Sequence, residues 1–305
     1  MNDKKFIPLQ KVIWSILRYS YIIILACLLA ACGETGQQET ENSVYYWRTE
    51  WLLDSVEQGF LKAHDIQKVY CRYFDVVMGD DGEPTPNATI RFHDEVLPEG
   101  VEMVPTVYVT EDCMHQRHEG LAGRLVQRIV QMNETHGIRG VREIQIDCDY
   151  TARSRQVYYD FLSEVARSAL FTRHFSLLSV TIRLHQLTMA VPPADYGVLM
   201  LYNTGDPRRF VEHNPILDES QVQPYLRYLS DYALPLSAAY PVYRWQRTIH
   251  GVRVEHTVEA SEILRVKQAV ERKRPSLRER ILTYHLDKEN INRYTPETYE
   301  AIYRH

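Results

Sequence analysis

The chain has 305 residues, 45% of them hydrophobic, with 35 basic against 40 acidic side chains and a formal net charge of −5. That is enough apolar material for one sizeable core, and the length suits one large domain or an α/β barrel of roughly 250 residues. The basic residues are scattered among acids and form no stripe that could track phosphates, which argues against nucleic acid as a partner.

Lys4, Lys5, Lys11 and Arg18 precede an apolar run over residues 19–31, which ends in Leu29-Ala30-Ala31-Cys32. Positive residues, an apolar stretch and then small residues are the order of a secretory signal, and the run is short of the ~20 residues a membrane span needs. The string Leu29 to Gly33 resembles a bacterial lipobox. That resemblance implies a signal peptide over residues 1–31 and lipidation of Cys32. An uncleaved anchor helix reaching back to Ile13 is the alternative. Residues 32–43 are polar and acidic, cannot bury a core, and predict a tether. The expected arrangement is a cell-envelope domain outside the cytoplasm, whose membrane partner is reached through a lipid anchor. Cys71, Cys113 and Cys148 remain, an odd number without a CxxC spacing, so no disulfide framework is implied.

Residues 44–305 predict one folded unit. Strand-like runs recur at 44–47, 68–76, 103–110, 143–150, 178–184, 196–203, 234–243 and 280–286. Helical spacing separates several of them: Leu52, Leu53, Val56 and Phe60; then Leu121, Leu125, Val126 and Ile129, ending near Gly137; then Val157, Phe161, Leu162 and Val165. Eight strands alternating with helices predict an α/β fold, a (β/α)8 TIM-type barrel. It is irregular. Residues 77–102 are too rich in Gly and Pro for a long helix, and residues 185–195 are too few. Residues 244–258 predict a β-hairpin turning at His250-Gly251, inserted after the seventh strand and before a helix at 259–273. A doubly wound open sheet is the alternative, without the glycine-rich phosphate turn that would favour it.

The most informative stretch is 143–150. Alternation puts Ile144, Ile146 and Cys148 on one side and Gln145, Asp147 and Asp149 on the other, which in a barrel is a column rising through the bore to the active rim. Glycosidic cleavage uses two carboxyl groups, one of them protonated. Asp149 is therefore the candidate general acid and Asp147 its ionised neighbour, the two kept apart in acidity by mutual repulsion. The competing expectation is a structural ion network with Arg72 and Arg183, which otherwise orient Asp147 and substrate oxygens. Trp47, Tyr202, Tyr243 and Trp245 fall at predicted strand ends, where aromatic faces can stack on sugars. Cys113, His115 and His118 are ligand types, but the spacing fixes no third ligand, and a solvated loop without metal is expected. No cofactor is expected.

The strings EIQIDCDYTARSRQVYYDFL, LSVTIRLHQ, VLMLYNTGDP and LPLSAAYPVYRW together resemble an uncharacterised family of bacterial secreted proteins with a TIM-barrel fold, over most of residues 44–290. The resemblance implies a barrel related in architecture to glycoside hydrolases. The fourth strand is also similar to that of chitinase-like barrels, in which alternating acids end in a catalytic glutamate. Gln145 and Asp147 then fall on supporting positions and Asp149 on the acid's position, with aspartate in place of glutamate and glutamine in place of one acid. The expected function is an anchored glycoside-hydrolase-like barrel acting on a glycan; the alternative is a non-catalytic barrel that binds a glycan or a protein.

Overall fold

The computed structural model describes residues 40–93, 97–205, 213–249 and 252–304. The expected signal and tether up to residue 39, Cys32 included, and the expected hairpin turn at His250-Gly251 lie outside the described residues. Residues from Thr40 onward form a compact unit of their own.

Eight parallel strands close into a barrel: β1 (Glu41–Tyr46), β2 (Ile66–Met78), β3 (Glu102–Val109), β4 (Glu143–Asp147), β5 (Leu177–Ile182), β6 (Tyr196–Met200), β7 (Leu236–Pro241) and β8 (Arg280–Tyr284). Closure is made by β1, which pairs with β2 on one edge and with β8 on the other, Val44 standing opposite Thr283. The eight sequence runs are these eight strands. β1 starts earlier than the sequence suggests, so Glu41, Asn42 and Ser43 belong to the sheet rather than to a tether.

The outer layer is uneven, as the sequence predicts. Helices α1 (Ser55–Ala63), α2 (Leu121–Thr135), α3 (Arg155–Arg167), α4 (Ala260–Lys273) and α5 (Pro296–Tyr303) surround the strands, but a 3-10 turn at Leu184–Thr188 replaces a helix after β5. The first helix starts later than its apolar spacing implies. Asp54 accepts from the amides of Val56 and Glu57 while Glu57 accepts from Asp54 N, a capping box that begins the helix at Ser55 and leaves Leu52 and Val56 exposed. Helix α2 stops because Gly137 takes φ 64° and lets the Ile138 amide bond back to Asn133 O. Helix α3 buries Tyr158, Phe161, Leu162 and Val165 against the barrel, each apolar side chain worth about 1.5–3 kcal/mol over exposure. Gly197 on β6 is fixed by packing, since a Cβ there would meet Ile182 at 2.8 Å and Leu234 at 2.9 Å.

The bore is filled by polar and aromatic side chains in place of the branched apolar layers usual in such barrels. At the strand starts, Lys68 Nζ lies 2.9 Å from Glu41 and 3.1 Å from Glu143. Above them Tyr70 and Tyr196 share a 2.7 Å hydrogen bond. One donor chain runs down the bore and ends on the same Glu143. The Tyr45 hydroxyl donates to Gln145 Oε1 at 2.9 Å, Gln145 Nε2 donates to Ser179 Oγ at 3.4 Å, and Ser179 donates to Glu143 Oε1 at 2.6 Å. Every polar group in this chain has a partner, which is what burial demands.

Candidate functional site at the barrel mouth

The C-terminal ends of the strands bring together Trp47, Arg72, Tyr108, Asp147, Arg183, Tyr202 and Tyr284. β4 ends at Asp147, whose carboxylate is buried with 4% of the side chain exposed. It accepts from Thr181 Oγ1 at 2.6 Å and pairs with Arg183 Nη1 at 2.9 Å. Asp149 lies two residues beyond the strand with 54% of its side chain exposed, 3.9 Å from Arg183 Nε and 3.6 Å from His185 Nε2. Arg183 thus stands within ion-pair reach of both acids. Burial opposes the charge of Arg183, but Asp147 and Asp149 more than offset it and hold the guanidinium above its ordinary range.

Gln186 fixes this geometry. It is fully buried, accepts from the Arg183 amide at 2.8 Å, and donates to Cys148 O at 3.2 Å and Tyr150 O at 3.0 Å. The turn after β5 is thereby tied to the exit of β4, and Arg183 and His185 are carried to Asp149.

Arg72 does not join Asp147. It forks onto Asp75, with Nε 2.8 Å from Oδ1, and its guanidinium lies 5.6 Å over the Trp47 ring. Residues three apart on a regular strand face opposite sides. The register of β2 on β3 slips between Arg72 and Phe74, and that bulge turns Arg72 and Asp75 to the same side.

An aromatic wall surrounds the charges. Tyr284 stacks on Tyr202 at 4.7 Å and contacts Tyr243 at 5.3 Å and Trp47 at 5.9 Å. Tyr243 donates to Asn203 Oδ1 at 2.6 Å. The Tyr202 hydroxyl is buried and has no hydrogen-bond partner among the described residues. Burial pushes the Tyr108 hydroxyl up to about 12 and raises those of Tyr202, Tyr243 and Tyr284 as well, so all remain protonated donors at neutral pH.

Two sequence expectations need correction. Trp245 opens a hairpin strand, Trp245–Ile249, and its ring stacks on His256 at 5.6 Å instead of joining the wall, because the hairpin carries it away from the end of β7. The segment with Cys113, His115 and His118 is not a solvated loop. Glu111–Met114 is a 3-10 turn, and Cys113 and His118 are buried, with His118 Nδ1 3.6 Å from Glu83. No group of three metal-ligating side chains occurs among the described residues. Sequence reasoning missed Asp75, which needs the bulge, and His185, which needs the turn after β5. It also missed Tyr45 and Tyr284 as site residues, although their alternation with buried neighbours marks them as facing the bore.

Three solved structures share this architecture. The spore cortex-lytic enzyme SleL of Bacillus cereus aligns over 87% of this chain and 74% of its own, at 14% identity and a TM-score of 0.54. SleL of Bacillus megaterium aligns over 89% and 76%, at 12% identity and 0.54. A chitinase of Bacteroides thetaiotaomicron aligns over 87% and 96%, at 10% identity and 0.58. The likeness is one of fold. The chain is a TIM-type barrel. No protein-family model matches it, and no curated protein does.

Proposed function

We propose that the chain is an anchored cell-envelope protein whose barrel mouth takes a glycan, with Asp149 as the group that exchanges a proton with it. The observation that carries the reading is the mouth itself. Trp47, Tyr202, Tyr243 and Tyr284 form an aromatic wall beside an Asp147–Arg183–Asp149 array, and the buried Tyr202 hydroxyl has no acceptor among the described residues. Sugars suit such a site, since their ring faces stack on aromatic rings and their hydroxyls answer fixed donors and acceptors. The barrels named for a cortex-lytic enzyme and a chitinase support a carbohydrate ligand by analogy of fold. Anchoring rests on the N-terminal sequence, with its lipobox-like string at Cys32.

A second reading, a non-catalytic glycan-binding barrel, is favoured by one observation. Glycosidic cleavage draws on two carboxyl groups flanking the bond. Here Asp147 is engaged with Thr181 and Arg183 inside the bore, and Asp149 alone is open to a ligand. The deciding experiment screens envelope and dietary polysaccharides for binding and for cleavage, with Asp149→Asn alongside the parent. Cleavage that falls ~10²–10⁴-fold in Asp149→Asn, with binding and melting temperature kept, supports proton transfer. Binding without cleavage in the parent selects the second reading. Neither binding nor cleavage of any glycan would sink both.

A further inference from the structure

Two carboxyl groups flank the bond in glycosidic cleavage, and beside Arg183 this mouth leaves only Asp149 open to a ligand. The proton-active group next to Asp149 is an imidazole. His185 stands on the 3-10 turn Leu184–Thr188 with 43% of its side chain exposed, its Nε2 3.6 Å from Asp149 Oδ1 and 3.3 Å from Tyr150 O. A carbonyl oxygen can only accept, so Nε2 carries the proton and the neutral ring keeps its lone pair on Nδ1. No described residue bonds Nδ1, and it is not sealed from solvent. The turn is held on both sides of the ring: Thr188 Oγ1 donates to His185 O at 2.8 Å, and the buried Gln186 ties the turn to Cys148 O and Tyr150 O. A carboxylate on one ring nitrogen and a free lone pair on the other are the parts of an acid–base dyad. The carboxylate fixes the tautomer and stabilises the imidazolium, while the free nitrogen takes and returns a proton. Such a dyad has one proton-transfer centre. It lacks the separated acid and base that a glycosidic bond requires, but it suffices for an acyl ester, where the same nitrogen serves both steps.

From this geometry we infer that His185 is the general base of the mouth, held by Asp149, and that the bond it cuts is an acyl ester carried by a glycan. The inference rests on the glycan reading of the mouth and deepens it by naming the bond; the proton exchange given to Asp149 there passes through the imidazole that Asp149 orients. The nucleophile is water, since no hydroxyl or thiol of a described residue bonds Nδ1. Nδ1 takes a proton from water as the water oxygen adds to the ester carbonyl carbon. The imidazolium then gives that proton to the sugar oxygen as the bond from that oxygen to the acyl carbon breaks. A carboxylic acid and a free sugar hydroxyl leave, and the ring is neutral again. Tyr108 supplies a donor for the oxyanion formed between these steps. It stands beside Asp147 in the β3–β4 register, its hydroxyl stays protonated at neutral pH, and no described residue engages that hydroxyl.

The test incubates the full chain with O-acetylated xylan, glucomannan and peptidoglycan, each beside its alkali-deacetylated form, and measures binding, acetate release and chain shortening. The parent is expected to release acetate from at least one of them. Release should fall ~10²–10⁴-fold in His185→Gln and in Asp149→Asn, with melting temperatures kept because both side chains are about half exposed. Added imidazole should restore release in His185→Ala above an imidazole-only blank, which a purely structural role for the ring would not allow. No acetate from the parent overturns the inference. So does undiminished release in His185→Gln, and so does a folded His185→Ala that imidazole fails to restore. Chain shortening without acetate release, or binding with neither product, also overturns it and leaves the glycan reading standing. Absence of binding to every polysaccharide takes down both.

Discussion

Removing Arg183 tests the organisation of the site most directly. The Asp147 side chain is 4% exposed and Arg183 17%, at 2.9 Å, so Arg183→Met strands a buried carboxylate with only Thr181 to answer it. Breaking such a pair from one side costs about 3–5 kcal/mol, and the partial exposure of the guanidinium places the expectation near 3 kcal/mol. For a domain of this size that is a fall of roughly 6–12 °C in melting temperature. Asp147→Asn/Arg183→Met removes both charges and should regain at least half of the loss, since no unpaired ion remains. Asp149→Asn, more than half exposed, should stay within about 0.5 kcal/mol of the parent. Urea unfolding of the four proteins measures all of these values. A change under about 0.5 kcal/mol in Arg183→Met, or a double variant as unstable as the two losses added together, would refute the buried-pair account.

Four further outcomes are expected. Lys68→Met leaves Glu143, which is fully buried, without its cation, and should cost about 3–5 kcal/mol in urea unfolding; a cost under 1 would show that water reaches the strand-start end of the bore. Burial raises Tyr46 and Tyr108 to about 12, against about 10 in the unfolded chain. Their contribution is complete below about pH 10 and is lost as pH rises through 12, so stability should fall across that window with phenolate absorbance appearing only on unfolding; a full phenolate signal near pH 10 in the folded protein would contradict it. Tyr202→Phe removes a buried hydroxyl that has no partner among the described residues, and should leave stability within about 0.5 kcal/mol while weakening glycan binding; unchanged affinity removes Tyr202 from the site. Cys32→Ser should release the domain from the membrane fraction, and unchanged membrane association with an uncleaved N-terminus would refute lipidation.

Strand alternation and helical spacing were enough, in the sequence alone, to define the barrel. Apolar runs of period two separated by runs of period near 3.6 can be buried in few ways, and eight of them in order close a barrel. The same alternation already turned Gln145 and Asp147 inward, because side-chain direction on a strand is a local property. What each inward group meets was decided only by tertiary structure, since partners come from strands far away in sequence. Gln145 finds Tyr45 one hundred positions earlier, and Asp147 finds Arg183 across the β4–β5 boundary. By alternation alone Arg72 is a partner for the acids, yet one bulge in β2 hands it to Asp75. Its place near a strand end puts Trp245 at the mouth by sequence, and the hairpin turns its ring onto His256. Bulges, caps and inserted turns shift direction by single residues, and a one-residue shift reverses the face a strand presents.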